Sequence, residues 1–83
     1  ENSAVHNNQG SLYLLEGEFD KAISSFQQAA ELDKQDGGIW VNLSMASYQK
    51  GDAAQAASHF QQALVLNPEL KTRYAAYQKL LSQ

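Results

Sequence analysis

Residues 37–70 read GGIWVNLSMASYQKGDAAQAASHFQQALVLNPEL, and this stretch sets the frame for the whole chain. It divides at Gly51-Asp52 into two helix-length halves, with Asn67-Pro68 closing the second. In that second half Ala56, Phe60, Ala63 and Leu64 recur at helical spacing on one face, while Gln55, Ser58, His59, Gln61 and Gln62 fall largely on others. Moving the sequence back by 34 places sets Phe60-Gln61-Gln62-Ala63 on Phe26-Gln27-Gln28-Ala29, Gly51 on Gly17, Ala56 on Ala22, Leu66 on Leu32 and Asn42 on Asn8. A fixed period of this length marks a stacked repeat.

Working outward, the earlier copy opens near Ser3. Its first helix, between Ala4 and Glu16, has a polar centre from Asn7 to Ser11 that is weak for a helix on propensity alone, so the repeat carries the assignment. Gly17 can take a positive φ and close that helix. From Phe19, the residues Ala22, Ile23, Phe26, Ala29, Ala30 and Leu32 place an apolar face along a second helix. Asp36 is then placed to cap the third helix, and Asp52 the fourth, where Gln55 three residues on resembles a capping box. Proline disfavours helix in the residue before it, so Asn67-Pro68 is a boundary, with Asn67 expected to cap the turn that follows. A fifth helix is expected from Glu69 to Ser82, turning Tyr74, Tyr77 and Leu81 inward.

This pattern resembles the tetratricopeptide repeat family over nearly the whole chain. Trp40, Leu43, Ala56, Phe60, Ala63 and Pro68 stand where the family has the same residues, with Ser44 at its small position and Ser47 in place of its tyrosine. In the first copy Gly10, Tyr13, Ala22, Phe26 and Ala29 match, whereas His6, Gln9 and Lys34 replace tryptophan, leucine and proline. The resemblance implies an all-α fold of five helices, with antiparallel helix-turn-helix repeats stacked as a short right-handed α-solenoid. Residues 3–36 and 37–70 would be the repeats and 71–83 a capping helix, which covers the apolar end of the last unit. Trp40, Leu43 and either Ala46 or Ser47 are expected to point toward the helix that follows in their own repeat.

Composition narrows the function. A chain of 83 residues makes one small domain with a thin stability margin. It has no cysteine, hence no disulfide framework or thiolate ligand. A net charge of −3 without a basic cluster disfavours nucleic acid and anionic membranes. No apolar run approaches the length of a membrane span, and residues 1–10 lack the pattern of a signal peptide. Because Ser3 already opens a repeat, the chain reads as a piece of a longer protein, and nothing in it assigns a compartment.

No phosphate loop, metal-ligand spacing or calcium-binding ladder occurs. Ser58 and His59 are neighbours on a helix and point in different directions, so they cannot form an oriented nucleophile and base. His59 is expected to be an exposed helix residue, and His6 a part-buried histidine or a contact to a further unit. These observations predict no catalytic activity, cofactor or metal.

What remains is the surface the scaffold curves. The resemblance places a peptide groove on the concave face of the first helices of each repeat, at Asn7, Asn8, Ser11, Leu14, Val41, Asn42, Met45, Tyr48, Gln49 and Lys79, with Ala75 and Ala76 beside them. An asparagine at the position shared by Asn8 and Asn42 resembles a clamp on peptide backbone, since a carboxamide both donates and accepts. An internal bond or a solvated side chain is the competing reading. The chaperone-binding carboxylate clamp of this family would need cations at Asn7, Thr72 and Ala76, where there are none, so binding of heat-shock chaperone tails is disfavoured. The expected function is binding of a partner peptide or helix. The alternative is assembly, by stacking on further repeats or on itself.

Overall fold

The computed structural model describes residues 2–83, and among them it contains only helices. These are α1 (Ser3–Leu15), α2 (Phe19–Leu32), α3 (Gly37–Lys50), α4 (Ala53–Leu66), α5 (Leu70–Arg73) and α6 (Ala75–Leu81). Successive helices pack antiparallel in a stack, which is the expected solenoid. No helix of the described residues is long and apolar enough to cross a membrane.

Both hairpins turn by the same chemistry. Gly17 and Gly51 adopt φ of 77° and 102°, a region that side chains with a Cβ avoid. The reversal lets Glu18 N–H donate to the Tyr13 carbonyl at 2.9 Å, and Asp52 N–H to the Ser47 carbonyl at 2.9 Å. Both are the long closing bond of a Schellman turn. Asp36 and Asp52 cap α3 and α4, accepting from Gly38 N–H at 2.9 Å and Gln55 N–H at 3.1 Å. The reciprocal half of the capping box is missing at Asp52, because its own N–H already serves Ser47.

Within each hairpin the helices touch through small residues. A Cβ built on Gly10 would lie 2.6 Å from the Phe26 ring, so that ring occupies the space of a side chain. At the equivalent place Ser44 is fully buried, and its hydroxyl donates to the Ala56 carbonyl at 2.6 Å. The core falls into two clusters. One joins Ala22, Phe26, Ala29 and Ala30 of α2 to Ile39, Leu43 and Ala46 of α3. The other joins Val41 to Phe60, Ala63 and Leu70, with Tyr74, Tyr77 and Leu81 half-buried against it. Trp40 packs on both.

Two expectations change here. Leu43 and Ala46 pack in the cluster of the preceding helix α2, while Val41 is the α3 residue packed with Phe60 and Ala63 of its own repeat. Asn67 does not cap the turn after it. Its carboxamide oxygen instead accepts the N–H of Gly37 at 2.7 Å, tying the start of α3 to the end of α4. That approach requires glycine, since a Cβ at position 37 would stand 2.9 Å from the Ala63 carbonyl oxygen and closer still to Asn67.

The single fifth helix is broken at Tyr74, whose φ and ψ of −114° and 35° leave the helical region. The two halves meet different demands: Leu70 is buried beside Val41 and Ala63, whereas α6 is held by Tyr77. The Tyr77 hydroxyl lies 2.7 Å from Ser44 Oγ, and its ring stands edge-on to Phe60 and Tyr48. A bend lets both attachments form, and it leaves the Arg73 guanidinium 5.8 Å from the Tyr74 ring.

Phe60→Ala should therefore destabilise the chain by roughly 3–5 kcal/mol, the usual cost of emptying a packed aromatic site, while Gln61→Ala should shift stability by less than about 0.5 kcal/mol. Chemical denaturation followed by circular dichroism measures both, and equal small shifts would contradict this packing.

Candidate functional site

The first helices of the two repeats, α1 and α3, bring Asn7 and Asn42 together. Asn42 Nδ2 donates to Asn7 Oδ1 at 2.9 Å, a part-buried bridge between side chains 35 residues apart, so the internal bond that competed with a peptide clamp at Asn42 is present. Asn8, the repeat counterpart of Asn42, is exposed and outside this pair. The bridge leaves each carboxamide unfilled capacity: two N–H donors on Asn7, and one N–H with the carbonyl oxygen on Asn42.

Around the pair, Ser11 is exposed, with its hydroxyl turned back to the Asn7 carbonyl at 3.2 Å. Leu14 is half-buried against the first core cluster and Met45 against the second. Tyr48 is half-buried, its ring centroid 6.1 Å from that of Tyr77 in an edge-on contact. Gln49 and Lys79 are exposed. Val41 is the correction to the expected set: it is 1% exposed, sealed under Leu70 and the cap, and has no surface to offer a ligand.

Tyr77 adds a feature that the sequence did not single out for the site. Half-buried, with its hydroxyl on Ser44, it has a phenol held above its ordinary pKa, chiefly by desolvation. It stays neutral beside Tyr48. The aromatic wall of this face is thus contributed by the cap, and only the pairing of α6 with α3 discloses it.

A second hollow lies between α2 and α4, on the other side of α3. This cleft of about 600 Å3 has Trp40, Leu43 and Ala30 together with Gln27, Glu31, Lys34, His59 and Gln62 as its lining. His59, expected to be exposed, is half-buried with its ring centroid 5.7 Å from that of Trp40. Desolvation lowers its pKa, and the charge of the Asp52 carboxylate opposes that shift only in part. His6 is half-buried beside Gln28, Glu31 and Leu32. Among the described residues no three His, Asp or Glu side chains gather as a metal site would need.

The His59 shift has a definite sign. Below its ordinary value of 6.5 the unfolded chain takes up a proton that the folded imidazole resists, so this residue's contribution to stability falls as pH drops through that value. His59→Gln should flatten the pH dependence of the thermal midpoint between pH 7 and 5 relative to the unmodified chain. Parallel curves for the two would show that His59 titrates normally.

No curated protein matches the chain. The family model described as tetratricopeptide repeat matches residues 13–83, which takes in five of the six helices whole and the last three residues of α1. With Gly10 and Phe26 in contact, Ser44 in the equivalent small position and the two hairpins stacked through α2 and α3, the chain belongs to the tetratricopeptide repeat family.

Proposed function

We propose that this chain is a non-catalytic interaction module whose α1–α3 face takes an uncharged, extended or helical segment of another protein. Tetratricopeptide repeats generally mediate protein–protein interaction and are typically non-catalytic, which supports the reading in outline. In this reading residues 3–36 and 37–70 are the two repeats and 71–83 the cap.

The observation that carries the reading is the Asn7–Asn42 pair. Each carboxamide orients the other, so the free donors and acceptor are held in place before a ligand arrives, and less ordering entropy is lost on binding. A peptide bond offers the complementary acceptor and donor. Met45 supplies a soft apolar surface one turn along α3, and Tyr48 an aromatic one a turn further. Lys79 is the only cation among the proposed contacts, which fits a segment recognised by backbone and apolar side chains better than a strongly acidic one. Asn8, Ser11, Leu14 and Gln49 complete the proposed rim.

Peptides selected from a random display library on the unmodified chain provide the test. Asn42→Ala should weaken their binding by roughly 1–3 kcal/mol, the penalty for a buried peptide group left without its partner. Loss of the bridge to Asn7 should cost about 0.5–1.5 kcal/mol of folding stability, so affinity is compared below the thermal midpoint. Gln61→Ala on the opposite face is the control. Unchanged affinity in both variants, or equal losses in both, would remove this face as the site.

A further inference from the structure

Asp36-Gly37 is the one place in the chain where an aspartate precedes a glycine, since Asp20, Asp33 and Asp52 are followed by Lys21, Lys34 and Ala53. An aspartate side chain has the length to close a five-membered ring on the next backbone nitrogen, and a glycine there puts no Cβ in its path. In that reaction the Gly37 nitrogen attacks Asp36 Cγ. The N–Cγ bond forms, the Cγ–OH bond breaks, and the hydroxyl leaves with the amide proton as water. Water then opens the succinimide either at the Cγ carbonyl, restoring aspartate, or at the α-carbonyl, leaving the main chain to run through Cβ as isoaspartate.

Asp36 is exposed, so water reaches it, yet three contacts oppose ring closure. Its Oδ1 accepts the Gly38 N–H at 2.9 Å. Its carbonyl accepts the Ile39 N–H at 3.2 Å and helps to hold a ψ of 98°, which turns the Gly37 nitrogen away from the Asp36 side chain. Both of these are local bonds of a capped helix start. The third comes from 30 residues away and engages the reacting nitrogen itself: the N–H of the buried Gly37 donates to Asn67 Oδ1 at 2.7 Å. That proton must be surrendered before the ring can close.

We propose that Asp36-Gly37 is a latent isomerisation site, at which the Asp36 carboxyl cyclises onto the Gly37 nitrogen to give isoaspartate, and that the Asn67 carboxamide keeps it closed in the folded chain. This goes beyond the peptide-binding reading, because none of the three residues belongs to the proposed contacts. Conversion adds one carbon to the main chain and removes the carboxylate from its place on Gly38. The start of α3 has no room for such a change, since even a Cβ on Gly37 would stand 2.9 Å from the Ala63 carbonyl oxygen. Isoaspartate at 36 therefore unseats α3 from the end of α4.

In water enriched in oxygen-18, each cycle of closure and opening leaves a heavy oxygen at residue 36, so peptide mapping after incubation at neutral pH reads isoaspartate and label together. The unmodified folded chain should react roughly tenfold or more slowly than the same chain unfolded in urea, where residue 36 should be the main site. Asn67→Ala should raise the folded-state rate about fivefold or more, with helicity retained, because the Gly37 N–H loses its acceptor. Ser44→Ala, which cuts the bond to the Ala56 carbonyl in the same hairpin, should leave the rate unchanged at matched stability. Folded chain reacting as fast as unfolded, no acceleration in Asn67→Ala, or equal acceleration in Ser44→Ala would each overturn the proposal.

Discussion

The structure depends on α3 being packed from both sides at once. Seven of its fourteen residues are buried, and they do not form a single stripe: Ile39, Leu43 and Ala46 serve the cluster shared with α2, while Val41 serves that shared with α4 and the cap. A helix in that position cannot rely on one amphipathic face. Trp40 joins the two clusters, and Gly37 and Ser44 let neighbouring atoms come closer than larger residues would. In so small a chain, two linked clusters bury more apolar area than two separate hairpins could.

From that constraint follows the role of the C-terminal segment. Val41, Phe60 and Ala63 form an apolar end surface of the second hairpin, and α5 and α6 cover it. Neither helix is long enough to be stable alone, so their order comes from docking. Leu70 provides one attachment and Tyr77 the other, its hydroxyl on a serine that is itself fully buried. Because Tyr77 also stands against Tyr48, the segment that closes the core shapes the proposed peptide face. Changes in the cap therefore reach that face directly.

The two sides of α3 differ in chemistry. The α1–α3 side, the proposed peptide face, holds paired carboxamides that keep further donors and an acceptor. The α2–α4 side is a cleft floored by Trp40, where the imidazole of His59 is kept from charging. Both use the same scaffold, and the scaffold residues themselves, Phe26, Phe60 and the buried alanines, offer nothing to a partner.

The sequence by itself determined the scaffold, because its residues answer local or periodic demands. Glycine at 17 and 51 meets a positive φ, Asp36 and Asp52 meet free N–H groups within three residues, and Phe26 and Phe60 repeat at the same place in each hairpin. The tertiary structure decided whatever depends on a partner about thirty residues away. Only there does Val41 sink beneath the cap, Asn67 turn back to Gly37, Asn42 find Asn7 rather than solvent, and Tyr77 find Ser44. His59 came to lie on Trp40, and the last helix bent at Tyr74, for the same reason. A helical period fixes which side of a helix a residue occupies, but the neighbour on that side is set by how the hairpins stack.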